Sequence, residues 1–217
     1  RCLIKDCVMK IQIESQSIAA GKQNGDYILH QVLPNGATLI LLADGMGGLS
    51  LPEIASQLVC KAISEYLVKG DAIDCTELIR MSIEYADNCL AEFCKEKGCK
   101  MGTALTLMYL SDDNLFYISL GDVRLYHKNK QGEVALLTTD HVIVQGENVY
   151  LTNCISGRGF RKPIQVQLLS LNTGDLFLLC SDGYYKAHDI LGSFLCKDLI
   201  SSPLGDDDCS VVRIKVT

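Results

Sequence analysis

Four aspartate positions each adjoin an apolar, strand-like run. Asp26 stands in Gly25-Asp26-Tyr27-Ile28, and Asp44 follows Leu39-Ile40-Leu41-Leu42-Ala43 and precedes Gly45-Met46-Gly47-Gly48. Asp182 follows Leu176-Phe177-Leu178-Leu179-Cys180-Ser181, and the cluster Asp206-Asp207-Asp208 precedes Cys209-Ser210-Val211-Val212. A carboxylate at a buried strand end is costly unless something pairs with it. Few cations accompany these four, so the pattern calls for a hard metal ion, and an all-oxygen donor set suits Mg²⁺ or Mn²⁺ rather than zinc. The plainer alternative is that they cap helices and form turns, roles in which Asp is common.

The elements that must position these residues follow from periodicity. Strands are expected over Lys10–Ala19, Tyr27–Leu33 and Thr38–Ala43, with Pro34-Asn35-Gly36 as a hairpin turn between the last two. Thr38–Ala43 is continuously apolar and reads as buried on both faces. Two amphipathic helices follow, over Pro52–Val68 and Thr76–Lys97, divided at Gly70-Asp71. Short strands return over Thr103–Leu110, Leu115–Leu120, Val123–His127 and Val134–Leu137, joined by tight turns that imply an antiparallel meander. Residues 145–161 read as a polar, Gly-rich loop, Ile164–Leu171 and Leu176–Cys180 as strands, Tyr184–Leu199 as weakly helical, and Ser210–Val216 as a closing strand. This order is α+β: two antiparallel sheets face to face with helices outside, the aspartate-bearing strand ends converging at one edge.

Composition narrows the partners. The chain of 217 residues, 48% hydrophobic and 21% charged, fits one globular domain over residues 1–217. A net charge of −6 without a dense basic run argues against nucleic acid. No apolar stretch has the length of a membrane span and no signal peptide is visible, so a cytoplasmic protein is expected. Most of the 11 cysteines, among them Cys60, Cys89, Cys94, Cys154, Cys180 and Cys196, fall in apolar segments and read as small core residues of a reducing compartment. His141 reads as structural, and His30, His127 and His188 have no evident partner.

In register along nearly the whole chain, these residues resemble the PPM-type (type 2C) metal-dependent protein serine/threonine phosphatases, particularly the compact bacterial kind. The resemblance is carried by Asn24-Gly25-Asp26, Ala43-Asp44-Gly45-Met46-Gly47-Gly48, Gly102-Thr103, Gly121-Asp122-Val123-Arg124, Leu137-Thr138-Thr139-Asp140-His141, Cys180-Ser181-Asp182-Gly183 and Asp207-Asp208-Cys209-Ser210-Val211-Val212. It implies a four-layer α/β/β/α sandwich and a binuclear Mg²⁺ or Mn²⁺ centre. Asp44 would bridge the two ions with the Gly45 carbonyl as a further ligand, Asp182 and Asp207 would hold one ion, and Asp26 would serve the other partly through water. Asp122 would correspond to a residue that serves a third, weaker ion in some members. The implied partners are phosphorylated proteins and a cognate serine/threonine kinase pathway, with the enzyme a monomer.

The chain also departs from the family pattern. Where the family places an Arg that clamps the substrate phosphate, it reads Gly21-Lys22-Gln23-Asn24, which leaves Lys22 as the catalytic cation without a bidentate fork. Gly25 replaces a Glu. Arg158, Arg161 or Lys162 are further candidates for the phosphate, the alternative being that they are solvated loop charges. The flap region after Asp140 and the helical region after Asp182 are both short. The competing readings are a pseudophosphatase that keeps the fold as a binding scaffold, and a regulatory phosphatase dedicated to one partner.

Overall fold

The computed structural model describes residues 9–70, 74–146, 148–160, 162–199 and 205–217. The chain opens with three strands, β1 (Ile11–Ile18), β2 (Asp26–Val32) and β3 (Thr38–Gly45), then two helices, α1 (Pro52–Lys69) and α2 (Cys75–Lys97). Four strands follow: β4 (Thr103–Ser111), β5 (Asn114–Leu120), β6 (Arg124–Lys128) and β7 (Val134–Leu136). A small hairpin, β8 (Val142–Gln145) and β9 (Asn148–Leu151), precedes β10 (Gln167–Ser170) and β11 (Leu176–Cys180). Two short helices, α3 (Asp182–Tyr185) and α4 (Ile190–Ser193), lead to the closing β12 (Cys209–Val216).

Two five-stranded antiparallel sheets result, in the orders β1-β12-β11-β6-β7 and β10-β5-β4-β3-β2. The expected α+β sandwich is what forms, and β3 shows why its sequence is continuously apolar. Leu39, Leu41 and Ala43 pack with Val59, Ile63, Ile79 and Ile83 of α1 and α2. On the opposite face Ile40 and Leu42 meet Met108, Leu125, Phe177, Leu179 and Val212 between the sheets. A third, smaller core beneath α3 and α4 joins Leu178, Cys180 and Val211 to Tyr184 and Phe194.

The helix boundaries follow local chemistry. Pro52 fits the first turn of α1, where its missing N–H has no partner to lose. The Asp74 carboxylate caps α2 by accepting from the Thr76 N–H at 2.8 Å, and Gly98 closes it in the left-handed conformation, its N–H donating to the Cys94 carbonyl.

Three expectations are corrected. Residues 145–161 are not wholly loop: Asn148–Leu151 pairs with Val142–Gln145 as a hairpin. Tyr184–Leu199, expected to be weakly helical, holds only the end of one short turn, α3, and a second, α4, which starts afresh where the Asp189 carboxylate accepts from the Leu191 and Gly192 N–H groups. His127 and His188 do have partners. His127 stacks on Phe177 with its Nε2 3.1 Å from Asp175, and His188 stacks on Tyr184, which also carries its Nδ1 contact at 3.0 Å. The nine described cysteines are all free, with Cys60, Cys180 and Cys209 buried.

Candidate active site

Antiparallel order brings the acidic strand ends to one edge of the sandwich. The start of β2, the ends of β3 and β5, the end of β11 and the start of β12 all lie there, so residues far apart in sequence share one cavity of about 580 Å³. Its wall includes Asp44, Asp122, Asp182, Asp207 and Asp208, the glycines Gly25, Gly45, Gly47 and Gly48, and Tyr150 from the small hairpin. Asp26 lies behind that wall, directly opposite Asp44 in the β2–β3 pairing.

Each carboxylate has a distinct setting. The buried Asp26 accepts from the Ser181 hydroxyl through Oδ2 at 2.7 Å, while its Oδ1 is buried with no hydrogen-bond partner. Burial pushes the Asp26 carboxyl up to about 7, against the hydroxyls of Ser210 and Ser181, which pull it down. Burial likewise holds Asp44 well above the usual carboxylate range, reinforced by the charges of Asp26, Asp182, Asp122 and Asp207. Asp122 is pushed up to about 6, mainly by burial and then by Asp182, and Asp207 is raised for the same two reasons. Unpaired like charges at close quarters are what a bound cation relieves.

The three adjacent aspartates before β12 are told apart by their partners. Asp208 accepts from the backbone N–H of Gly25 at 2.6 Å and of Ala20 at 2.8 Å, so its charge anchors the loop that leads into β2. Asp207 stands on the wall and acts electrostatically on Asp44, while Asp206 is exposed and absent from the wall. Of the three, Asp207 is therefore the one on the wall that does not anchor the loop into β2.

Backbone fit matters as much as charge. The Thr103 hydroxyl donates to the Asp44 carbonyl at 2.7 Å, which ties the end of β3 to the start of β4. A Cβ on Gly45 would lie 2.1 Å from the Pro52 carbonyl oxygen, and one on Gly183 would lie 2.2 Å from that of Asp208. The Asp-Gly pairs at 44–45 and 182–183 thus exist because the chain passes too close for any side chain.

The expected cations fare differently. Lys22 is exposed on the β1–β2 turn and does not line the cavity. Arg158 is exposed and acts on Cys94 and Cys154, also away from the wall. Arg161 lies outside the described residues. Two residues not singled out from sequence matter here. Ser181 bridges the buried core of the site, accepting from the Ser210 N–H at 3.0 Å while donating to Asp26. Lys186 places its Nζ 2.6 Å from Asp182 Oδ2. The Asp-x-x-x-Lys spacing was the available signal for the second, since residues four apart share a helix face.

Among the described residues, no three Asp, Glu, His or Cys side chains are drawn together tightly enough to cage an ion as they stand. The donor set still fits a hard divalent ion. It is all oxygen, it converges on one cavity, and Asp26 Oδ1 has no other partner.

The family model for protein phosphatase 2C matches residues 15–202. The chain is 27% identical over 212 residues to protein phosphatase PhpP of Streptococcus pneumoniae, covering 88% of this chain and 84% of that protein. It superposes on the catalytic domain of the serine/threonine protein phosphatase PstP, solved in complex with two manganese ions, with a TM-score of 0.80 at 21% identity, covering 96% of this chain and 99% of that one. A serine/threonine phosphatase of S. agalactiae gives a TM-score of 0.79 at 24% identity, covering 96% of this chain and 100% of that one.

Proposed function

The chain belongs to the protein phosphatase 2C family of protein serine/threonine phosphatases, and from that premise we propose that it hydrolyses phosphoserine and phosphothreonine on proteins at a binuclear Mg²⁺ or Mn²⁺ centre. The observation that carries this reading is the convergence of Asp44, Asp122, Asp182 and Asp207 on one cavity, backed by a buried Asp26 whose Oδ1 has no partner.

Asp44, Asp182 and Asp207 would hold the ions with the Gly45 carbonyl, and Asp26 would support Asp44 from across the ladder. Bound there, two divalent ions would lower the pKa of a water and neutralise charge on the phosphoryl oxygens in an in-line displacement. The protein's own contribution is position. Thr103 fixes the Asp44 backbone, Ser181 orients Asp26, and Asp208 holds the β2 entry loop against the wall. Hydrolysis by water needs no phosphoenzyme, so the cysteines take no part. We place the enzyme in the cytoplasm as a monomer acting against a serine/threonine kinase. No helix among the described residues is long and apolar enough to cross a membrane.

The test is hydrolysis of a phosphothreonine peptide and of an aryl phosphate with Mn²⁺, with Mg²⁺ and with chelator, for the wild type and Asp44→Ala. Metal-dependent turnover that falls at least about a hundredfold in a folded Asp44→Ala protein is expected. A folded wild type inert on both substrates with both metals would sink the reading and favour a scaffold.

A further inference from the structure

We propose that Cys94 and Cys99 are a redox-sensitive pair whose oxidation to a disulfide loosens the Met46–Ser50 loop on the wall of the acidic cavity. The disulfide and its effect on the loop stand independently of the reaction at that cavity; only the effect on turnover rests on the phosphatase reading.

Three observations carry it. First, the end of α2 brings the two thiols together. Gly98 takes the left-handed conformation at φ 63°, and the chain turns back so that the Cys99 N–H donates to the Cys94 carbonyl at 3.1 Å. In this closure the side chain in the last helical turn and the one just after the glycine frequently meet, and here both are cysteines, in side-chain contact. A disulfide needs its Cα atoms about 4.4–6.8 Å apart, and the shared backbone hydrogen bond holds the pair close.

Second, both thiols are only half-buried, so a small oxidant reaches them. Cys180 and Cys209, which also act on each other, are both buried and shielded from it.

Third, the segment after Cys99 carries the cavity loop. The Lys100 carbonyl accepts from the Ser50 N–H at 3.0 Å, and the Gly102 carbonyl accepts from the Met46 N–H at 2.9 Å. A Cβ on Gly102 would lie 2.7 Å from Met46 Sδ. Met46, Gly47, Gly48 and Leu49 line the cavity directly after Asp44 and Gly45. The Cys94 sulfur itself accepts from the Met101 N–H. Joining it to Cys99 turns it away from Met101, and the strain falls on residues 100–102, from which both ends of the loop hang.

The oxidant is a low-molecular-weight disulfide such as oxidised glutathione. One cysteine thiolate, its proton lost to water, attacks a glutathione sulfur, forms a mixed disulfide and releases one glutathione thiolate. The second cysteine thiolate, likewise deprotonated, attacks the protein-side sulfur and releases the other. Two electrons pass from the cysteine pair to glutathione disulfide, and the released thiolates take up the two protons. In a reducing compartment such a bond is transient and suits sensing rather than structure.

The experiment equilibrates wild type, Cys94→Ser and Cys99→Ser in anaerobic glutathione buffers from fully reduced to strongly oxidised, each variant checked for fold by circular dichroism. Acid quenching, alkylation and peptide mass spectrometry show which cysteines are joined, and hydrogen exchange reads the Met46 and Ser50 amides in the same samples. The expected result is a Cys94–Cys99 disulfide in oxidised wild type, with exchange at Met46 and Ser50 at least about tenfold faster and restored by dithiothreitol. Both serine variants should keep the slow rate in every buffer. With Mn²⁺, oxidised wild type should turn over a phosphothreonine peptide several-fold more slowly than reduced. Free thiols at 94 and 99 in the most oxidising buffer, either one joined to a different cysteine, or the expected disulfide with unchanged exchange at 46 and 50 would each overturn the inference. So would faster exchange in the oxidised serine variants, or unchanged turnover in an active, oxidised wild type. The wild-type samples decide the matter even where a serine variant does not fold. A chain inert on the peptide in both states would count against the phosphatase reading alone, since mapping and exchange do not use turnover.

Discussion

Asp26 and Asp44 face each other across the β2–β3 ladder, two acidic side chains at one register position. Like charges directly opposite destabilise a sheet, and here Asp26 is also buried. The folded protein therefore holds protons that the unfolded chain would release. With the Asp26 carboxyl raised from 3.8 to about 7, its contribution to stability is full below about pH 4 and is lost as pH rises through 7. In chelator, Asp26→Asn should melt higher than the wild type at pH 8, and the gap should close as pH falls to 4. Melting curves across that range check it; a gap that stays constant would refute the titration. Saturating Mn²⁺ should raise the wild-type melting temperature most at the high-pH end, by linkage of binding to the folded state.

Asp207 and Asp208 are neighbours with opposite expected phenotypes. Asp208→Ala removes acceptors from two backbone N–H groups and should destabilise the metal-free protein by about 1–3 kcal/mol. Asp207→Ala removes a charge repelled by Asp182 and should leave metal-free stability equal or higher, while weakening Mn²⁺ binding. Chemical denaturation in chelator, paired with Mn²⁺ titration, separates the two. Equal losses of stability would contradict the assignment.

Gly45→Ala should be among the most damaging single substitutions in the chain. Its Cβ would overlap the carbonyl of Pro52, a backbone atom that cannot move without shifting the start of α1. Overpacking of this kind typically costs about 1–3 kcal/mol or more, and the loss should appear in denaturation midpoints even in chelator.

Much of this arrangement is legible in the chain itself. The unbroken run of residues 38–43 declares a strand covered on both faces, and each site aspartate is marked by the apolar strand beside it, because a sheet edge is where a buried strand can first meet a polar group. The β8–β9 hairpin is not legible in the same way. Its strands are half exposed and only four residues each, and the residues around Gly146 read as loop. Adjacency hides the division of labour between Asp207 and Asp208, since which of them meets the Gly25 and Ala20 N–H groups depends on a loop some 180 residues away. The same holds for Asp87 on α2. It is buried because the N–H groups of Ser156, Gly157 and Gly159 converge on it, which no local pattern announces.

That Asp87 cluster leads to a further prediction. Three N–H groups at 2.7–3.1 Å pin the loop between β9 and β10 to α2, and the Thr103–Ile155 bridge ties the same loop to β4 beside Asp44. Asp87→Ala should cost about 1–3 kcal/mol, since it takes the acceptor from three backbone N–H groups at once. Asp87→Asn should recover only part of this, because an amide offers one acceptor oxygen in place of two. Hydrogen exchange of the amides at 156–159 reads the loop directly; unchanged protection in Asp87→Ala would show that the loop is held by other contacts.

The hairpin itself bears on substrate choice. Val149, Tyr150 and Leu151 line the cavity, and Ile143, Val144, Val149 and Tyr150 are exposed apolar side chains beside it. If the hairpin contacts the residues that flank a phosphothreonine, a peptide feels its loss and a small aryl phosphate does not. Val149→Ser together with Tyr150→Ser should therefore leave aryl phosphate turnover within about twofold and raise KM for a phosphothreonine peptide several-fold. The expected peptide loss is on the order of 1 kcal/mol for two truncated apolar contacts. The comparison is kcat/KM for the two substrates on the same protein preparation. Equal losses on both would mean that the hairpin shapes the metal centre rather than contacting the peptide, and no loss on either would remove it from substrate recognition.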